Sequence, residues 1–182
     1  VKQVSDHIQS SKKLHKKKIL ITAGPTYEKI DKVRFIGNFS SGKMGFAMAE
    51  TAADLGAEVF LVTGPSTLKI KNSNITRKDV VNAEEMFNVC SELFKNCDIA
   101  ILSAAVSDFK PIKSVSDKIT KENLDSLTLE LKPTIDILKN LGSEKTNQIL
   151  IGFALESKNE IENAKKKIKN KNLDAIILNS LN

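Results

Sequence analysis

The sequence is poor in aromatic residues, cysteine and long apolar runs, and each shortage excludes a class of function. Aromatic residues make up 5% of the 182 residues and tryptophan is absent, whereas single-stranded nucleic acids bind to proteins largely by stacking on aromatic rings. The two cysteines, Cys90 and Cys97, lack metal-site spacing. No apolar run approaches the roughly 18 residues that span a bilayer, and no signal-peptide core is visible. We therefore expect a cytoplasmic protein that binds neither nucleic acid nor membrane.

The charge that is present is mainly lysine. The net charge is +6, and the lysines cluster at residues 12–18, 113–121 and 165–171 without interleaved aromatic residues. This arrangement favours a small phosphorylated ligand over a nucleic acid. The length corresponds to about one domain. Because residues 1–16 are polar and aperiodic, we expect a linker or disordered arm there and a folded domain over residues 17–182.

Short apolar runs alternate with helical periods along the rest of the chain. Continuous apolar runs predict strands buried on both faces of a parallel sheet, and they occupy residues 18–24, 56–65, 97–106, 147–155 and 173–179. A weaker strand is predicted at residues 74–81. Helices are predicted from Ser41, from Asn82 with a capping box at Glu85, near Thr134 and from about Lys158. The pattern predicts an α/β, doubly wound, Rossmann-like fold, in which ligands bind at the carboxyl ends of the strands.

Residues 110–132 depart from this alternation. They contain several lysines followed by "SLTLELK", in which leucines alternate with polar residues, so a half-exposed strand is predicted there. A lysine-bearing hairpin at the strand-end edge is typical of a lid over phosphates. A solvated loop with an edge strand is the alternative.

The segment "GNFSSGKMG" (residues 37–45) resembles a phosphate-binding loop, but it fails two requirements of the P-loop. It begins some distance after the first predicted strand, and Met44 replaces the hydroxyl that binds magnesium. The dinucleotide fingerprint is also missing, because the first turn reads "GPTYEK". What remains is a helix start at Ser40, Ser41 and Gly42 whose N–H groups suit an anion, preceded by Asn38. A capped turn without a ligand is the alternative.

Several motifs occur in the order found in one enzyme family. The segments "ITAGPTYEKIDKVRFIGNFSSGKMG", "SAAVSDF", "DKITK", "IDIL", "GFALES" and "AKKKIKNKNLDAIILN" resemble phosphopantothenoylcysteine synthetase, the ligase half of a bacterial bifunctional flavoprotein. The resemblance implies a ligase of coenzyme A biosynthesis that joins 4′-phosphopantothenate and L-cysteine through an acyl-cytidylate. It also implies CTP with Mg²⁺ in this domain, FMN only in an absent, fused decarboxylase domain, and a homodimer. Since the family continues with further strands beyond the position of Asn182, a C-terminal truncation is also expected.

The resemblance further implies roles for individual residues. Asn38 corresponds to a catalytic asparagine, Lys118 to a catalytic lysine of the lid, and Arg34 to an arginine near the phosphorylated substrate. Asp108 corresponds to an aspartate at the nucleotide and its metal. The other expected nucleotide-binding residues are Ser40, Gly42, Leu102, Ser103, Ala104, Ile135, Asp136, Ile137, Leu138, Phe153, Lys167 and Lys171.

The sequence departs from the family pattern at Thr120, where the lid usually has lysine, and at Ile135, where proline is usual. Two other functions stay open. One is an NAD(P)-binding reductase of Rossmann type, although its glycine fingerprint is missing. The other is a catalytically silent nucleotide-binding domain.

Overall fold

A computed structural model describes residues 12–122, 125–156 and 159–180. Within these ranges ten strands and four helices follow one another along the chain. In order they are β1 (Lys18–Ala23), β2 (Tyr27–Lys29), β3 (Phe35–Gly37), α1 (Lys43–Asp54), β4 (Glu58–Thr63), β5 (Ile75–Asp79), α2 (Ala83–Phe94), β6 (Ile99–Leu102), β7 (Phe109–Pro111), β8 (Leu131–Pro133), α3 (Ile137–Glu144), β9 (Ile149–Glu156), α4 (Glu160–Asn170) and β10 (Ala175–Ser180).

Six of the strands form one parallel sheet in the order β10-β9-β6-β1-β4-β5. From β1 the chain moves outward through β4 to β5, and then returns to the other side of β1 through β6, β9 and β10. This order is that of the doubly wound Rossmann fold, so the predicted fold class is confirmed. The direction of winding reverses between β1 and β6. In such sheets the crevice at the reversal point is where ligands bind.

Helices cover the sheet on both faces, which explains the unbroken apolar runs. Along β1, Ile19 and Ile21 pack towards α1, whereas Leu20 packs on the opposite side with α2 and α3. All three residues are at most 2% exposed. A central strand therefore has no solvent-facing side to carry polar residues.

Helix α1 lies unusually close to β1 because of a glycine on its buried face. A Cβ atom added at Gly45 would stand 2.5 Å from the Cβ of Ala23 and 2.9 Å from Oγ of Ser103. The helix begins at Lys43 after Gly42, whose φ of 75° is in the left-handed region. The predicted start at Ser41 was therefore two residues early, because a residue with φ above zero cannot belong to the helix.

The later elements match their predictions less evenly. Asn82 caps α2 by accepting a hydrogen bond from the N–H of Glu85 at 2.9 Å, as predicted. Helix α3 begins after Asp136 rather than near Thr134, because the Asp136 carboxylate accepts from the N–H of Lys139 at 3.0 Å. Helix α4 begins at Glu160, close to the predicted start.

The strand predicted at residues 126–132 is shorter than expected. Only β8 is formed, and it pairs antiparallel with the three residues of β7. Leu127 and Leu129 are exposed, so the alternating leucines have no layer to pack against. Alternation predicts a strand only where one face is buried, and that condition is not met here.

Part of the expected N-terminal arm packs onto the domain. Residues 12–16 form turns at the end of α1, where the N–H of Leu14 donates to the carbonyl of Leu55 at 3.0 Å. Leu14 also packs against the core beneath α1. Residues 1–11 lie outside the described residues, and the boundary at residue 16 stays a prediction.

Both cysteines are buried and free, as expected for structural thiols. Burial raises the pKa of Cys90 to about 12 and that of Cys97 to about 11. Neither thiol is therefore a nucleophile at neutral pH.

The described helices are 8 to 12 residues long. Within the described ranges we find no helix with the length and apolar character needed to span a bilayer.

The close packing at Gly45 makes a prediction about stability. Gly45→Val should lower the free energy of unfolding by about 2 kcal/mol or more, because the branched side chain overlaps Ala23 in a filled core. Ala47→Val, on the exposed side of the same helix, should cost only about 0.5 kcal/mol through helix propensity. Urea denaturation measures both. Equal losses in the two variants would contradict the packing argument.

Candidate functional site

Two strand-end loops are joined at the point where the sheet reverses. Residues 24–26 follow β1 and residues 103–107 follow β6. The N–H of Ala105 donates to the carbonyl of Gly24 at 2.9 Å, and the N–H of Thr26 donates to the carbonyl of Ala105 at 3.3 Å. Pro25 and Ala105 form an isolated parallel bridge. The two loops thus extend the β1–β6 pairing beyond the sheet and form the base of the crevice.

Hydroxyl groups complete this junction. Oγ of Ser103 donates to the carbonyl of Thr22 at 2.7 Å, and the N–H of Ala104 donates to Oγ1 of Thr22 at 3.1 Å. The N–H of Ser107 donates to Oγ1 of Thr26 at 2.9 Å, and Thr26 is fully buried. The hydroxyl of Ser103 and the N–H of Ala104 therefore bond within the protein. Their expected contacts with a nucleotide base stay a prediction.

The start of α1 closes one side of the crevice. A Cβ atom added at Gly42 would stand 3.2 Å from Cα of Gly24, so the glycine allows the helix start to reach the loop after β1. Oγ of Ser40 accepts from the N–H of Gly42 at 3.3 Å, and Oγ of Ser41 accepts from the N–H of Lys43 at 3.4 Å. The serine hydroxyls already satisfy two N–H groups of the predicted anion cradle.

Asn38 links the segment after β3 to the loop after β6. Its Nδ2 donates to the carbonyl of Val106 at 2.9 Å, and the residue is otherwise exposed. This bond fixes the amide plane and leaves Oδ1 as an acceptor at the crevice. Asn38, Ser40, Gly42 and Ser103 thus lie on the segments that form the crevice, and their expected ligand contacts stay a prediction.

The β2–β3 hairpin rises from the crevice and holds the lysine-bearing segment. We call residues 112–121 the arm. The N–H of Val115 donates to the carbonyl of Ile30 at 3.2 Å, and the N–H of Ile119 donates to Oδ2 of Asp31 at 3.1 Å. The guanidinium of Arg34 donates to the carbonyl of Ile119. Lys118, the neighbour of Ile119, is exposed.

The carboxylate of Asp31 is the centre of these contacts. The residue is 2% exposed. Its Oδ1 accepts from the N–H groups of Val33 and Arg34 at 2.7 Å each, and its Oδ2 pairs with Arg34 at 2.6 Å. Burial by itself would raise the pKa of Asp31, but the bonds from Val33, Arg34 and Ile119 outweigh burial and lower that pKa to about 2. The group is therefore a carboxylate at any physiological pH.

Asp108 lies at the rim of the crevice, directly after the joined loops. Its carbonyl accepts from the N–H of Thr134 at 2.9 Å and its side chain is exposed. In the part of the chain that the structure describes, no group of three His, Cys, Asp or Glu side chains stands close enough to hold a metal ion. Asp108 alone would be a weak magnesium site.

The segment 135–138 contributes to the core more than to the crevice. Ile137 is 4% exposed. Leu138 packs against Gly152, because a Cβ atom added at Gly152 would stand 2.7 Å from the Leu138 side chain. Asp136 caps α3 and pairs with Lys171 at 2.8 Å. Residues 136–138 thus have structural roles, and the expected nucleotide contacts of residues 135–138 stay a prediction.

The remaining expected residues lie on other elements. Leu102, the last residue of β6, is half-buried against the core. Phe153 is half-buried in β9, and Lys167 is half-buried on α4, one turn before Lys171. The backbone of Lys171 lies beside Gly142 near the end of α3, and its side chain reaches Asp136 from there. Leu102 directly precedes Ser103 of the crevice, whereas the contacts of Lys171 lie at α3.

Two cavities among the described residues are not lined by the joined loops, although Ile112 and Ser114 of the arm line one of them. The larger, about 480 Å³, lies at the amino ends of β1 and β6 and is lined by residues that include Lys18 and Asp98. The second, about 310 Å³, lies between β2, the start of α2 and the β7–β8 pair. Sheet topology and the bonds between the loops both point to the strand-end crevice as the site.

Sequence reasoning missed Asp31 and Thr26 as organising residues. Both are buried polar residues, and a single buried polar residue leaves no periodic pattern in the sequence. Asp31 belongs to the "ID" of a family motif, which does not show that the residue is buried.

Comparison with known proteins places the chain in a family. Residues 14–182 match DFP, the DNA/pantothenate metabolism flavoprotein C-terminal domain. The chain belongs to this family. It is 51% identical over 173 residues to a protein named cysteine/cysteine sulfinic acid decarboxylase from an unknown prokaryotic organism, covering 94% of the chain and 48% of that relative.

Further relatives agree with this placement. The chain is 45% identical to the coenzyme A biosynthesis bifunctional protein CoaBC of Bacillus subtilis strain 168, over 95% of the chain and 42% of that protein. A crystal structure of the C-terminal domain of a CoaBC protein is 46% identical, with a TM-score of 0.81 over 91% of the chain and 78% of that structure. The chain thus spans about half the length of the curated relatives that it matches.

These findings correct the function expected from the sequence. The matched family is described as a flavoprotein domain, and one relative is named a decarboxylase. Ligase activity, CTP and magnesium appear in none of these descriptions. The family and relative descriptions overturn the CTP-dependent ligase assignment, and what they support is similarity to proteins that are named for coenzyme A biosynthesis.

The low pKa of Asp31 predicts how the hairpin responds to acid. Because the folded-state pKa lies below the unfolded value of about 3.9, Asp31 stabilises the fold fully above pH 4 and loses this effect as the pH falls towards about 2. The difference in unfolding free energy between the wild type and Asp31→Asn, measured with urea, should shrink over this window. A difference that stays constant from pH 6 to pH 2 would contradict it.

Proposed function

We propose that the chain is the C-terminal domain of a CoaBC-type enzyme of coenzyme A biosynthesis, and that its strand-end crevice binds a phosphorylated pantothenate derivative. The observation that carries the proposal is the joining of the two strand-end loops at the reversal point of the sheet, with the lysine-bearing arm tied to the hairpin beside it. Relatives with 45% and 41% identity are named as coenzyme A biosynthesis proteins. The compounds between pantothenate and coenzyme A in such a pathway are phosphorylated anions.

The residues at the crevice suit such a ligand. Asn38 offers a fixed carbonyl acceptor, and the start of α1 at Gly42 carries the positive end of the helix dipole. Lys118 would supply the charge that a phosphate needs. Neutral amide groups suit the hydroxyl and amide groups of a pantothenate chain, which both donate and accept hydrogen bonds.

Arg34 has a more structural part in this proposal than the sequence suggested. Its guanidinium pairs with Asp31 and donates to Ile119. Asp108, Phe153, Lys167 and Lys171 are proposed as secondary contacts only.

The family description implies a flavin, which we tested against the described residues. A flavin ring needs a slot with apolar or aromatic walls. The cavity of about 480 Å³ has only Phe60 and Leu93 as apolar lining, and its other walls carry charged residues that include Lys18 and Asp98. The cavity of about 310 Å³ carries Glu28, Glu84 and three lysines. At the crevice, the contacts of Gly42 and Gly45 leave no gap between α1 and β1. The described residues therefore do not fit a flavin ring, and we propose that FMN binds in the part of a CoaBC-type protein that this chain does not span.

A homodimer is also proposed. Ile149, Leu155 and Ile177 are exposed apolar residues. Since Ile177 pairs with Phe153 and residues alternate along β9, all three lie on one face of the β9–β10 pair. A second copy of the chain would bury this face.

Binding of 4′-phosphopantothenate tests the proposal. Titration calorimetry should detect binding of 4′-phosphopantothenate to the wild-type chain and no binding of pantothenate. The reason is that the phosphate supplies the charge that the arm recognises. Lys118→Gln should raise Kd by at least about tenfold, since a charge-assisted hydrogen bond contributes about 1.5–3 kcal/mol.

Lys166→Gln is the matched control, because Lys166 is an exposed lysine on α4. Its Kd should stay within about threefold of the wild type. No binding of 4′-phosphopantothenate, or equal binding of pantothenate, would refute the proposal. Tight binding of FMN to this chain would refute the assignment of the flavin to another domain.

A further inference from the structure

We propose that Asp31 is a positioning residue, whose buried carboxylate ties the arm to the β2–β3 hairpin and so holds Lys118 above the crevice before any ligand binds. This deepens the function proposed above and rests on it for the consequence on affinity. The tie itself is a property of the chain that can be tested without a ligand.

The bonding of the carboxylate shows which two segments it joins. Oδ1 accepts the N–H groups of Val33 and Arg34, which shape the hairpin turn. Oδ2 accepts the N–H of Ile119 at 3.1 Å, which is 88 positions away along the chain. One carboxylate therefore organises the turn with one oxygen and holds the arm with the other.

Arg34 completes a closed arrangement around Ile119. Its guanidinium pairs with Asp31 at 2.6 Å and donates to the carbonyl of Ile119. Both backbone polar groups of Ile119 are thereby bonded to the hairpin, one to the carboxylate and one to the guanidinium. We call this arrangement the Asp31–Arg34 clasp. The backbone position of the preceding residue, Lys118, follows directly from it.

The clasp stands apart from the crevice but within reach of it. Tyr27 opens β2 next to the joined loops, and the clasp begins after Ile30, three residues further along. At the rise of a strand this is about 10 Å. A lysine side chain on a backbone held at that distance can reach a phosphate in the crevice. In an untethered arm, the lysine would be in this position only part of the time.

An untethered arm should bind anions more weakly for a simple reason. The apparent affinity of a ligand falls by the fraction of molecules in the binding-competent conformation. The contacts of the arm residues to the turn are the clasp and the bond from Val115 to Ile30. Loss of the carboxylate removes the bond to the N–H of Ile119 and also the partner that orients Arg34.

The experiment compares Asp31→Asn with the wild type by limited trypsin digestion and by calorimetry. Cleavage after Lys118 and Lys121, followed by mass spectrometry, should be about tenfold faster in the variant because the arm opens more often. The Kd for 4′-phosphopantothenate should rise by about tenfold, as expected if only about a tenth of the molecules keep the arm in place.

Asp98→Asn is the matched control. Asp98 is also a carboxylate that accepts a backbone N–H, from Lys18 at 2.8 Å, and a lysine bond, from Lys17 at 3.0 Å, but it lies at the amino ends of the strands. Its loss should lower the melting temperature without changing arm cleavage or Kd. A general loss of stability is thereby separated from a loss of positioning.

Arg34→Lys is the second variant and keeps the fold and the charge. If the clasp is correct, this variant also speeds cleavage after Lys118 and Lys121, because lysine cannot reproduce the guanidinium contacts. A higher Kd with unchanged cleavage would instead make Arg34 a direct ligand of the phosphate and overturn the clasp. Faster cleavage with unchanged Kd would overturn the positioning role.

Failure of the proposed function gives a different result. If the wild type does not bind 4′-phosphopantothenate, the ligand assignment is refuted, and the digestion alone then decides whether the clasp holds the arm. Equal cleavage of the wild type and both clasp variants would overturn the inference regardless of binding.

Discussion

The bonds between the loop after β1 and the loop after β6 are the constraint on which the rest of the site depends. Parallel strands pair only through their backbones within the sheet, and their loops normally separate where the sheet ends. Here the N–H of Ala105 donates to the carbonyl of Gly24, and the N–H of Thr26 donates to the carbonyl of Ala105. The hydroxyls of Thr22 and Thr26 accept the N–H groups of Ala104 and Ser107. The segments that follow β1 and β6 therefore leave the sheet from one rigid point.

The elements that follow this point explain the shape of the crevice. The segment after β1 forms the β2–β3 hairpin and then α1, and the segment after β6 forms β7, the arm and β8. The two excursions meet again at Asn38, which bonds to Val106, and at Asp31, which bonds to Ile119. A site assembled from two loops and held at both ends can present a lysine and an amide to one ligand without the help of a deep cavity.

The electrostatics of the chain fit this arrangement. The net charge of +6 is spread over several lysine clusters, but the cations differ in what they do. Lys171 and Arg34 are paired with carboxylates at 2.8 and 2.6 Å, so their charge is largely neutralised. Lys118 is exposed, like Lys113 and Lys121, but it alone directly precedes Ile119, whose backbone is bonded to Asp31 and Arg34.

The centre of the sheet was predictable from the sequence because β1, β4 and β6 are largely apolar, as burial between two layers of helices requires. The edge strand β5 reads ITRKD and gave a weaker signal. The cap of α2 was predictable because the Asn82–Glu85 spacing is local. The start of α1 and the strand at residues 126–132 were not, because they depend on the φ of Gly42 and on a missing covering layer. Asp31 was not recognised because its partner Ile119 lies 88 positions away. The function predicted from motif resemblance had to be corrected by the family description, since motif order carries the family and not the activity of one domain.

Amide chemical-shift mapping by NMR tests the central claim most directly. Addition of 4′-phosphopantothenate to the chain should shift the amides of residues 24–42 and 103–121, because both loops and the arm surround the crevice. The amides at the amino ends of the strands, near Lys18 and Asp98, should stay unchanged. Shifts confined to that amino edge, where a cavity of about 480 Å³ lies, would contradict the account.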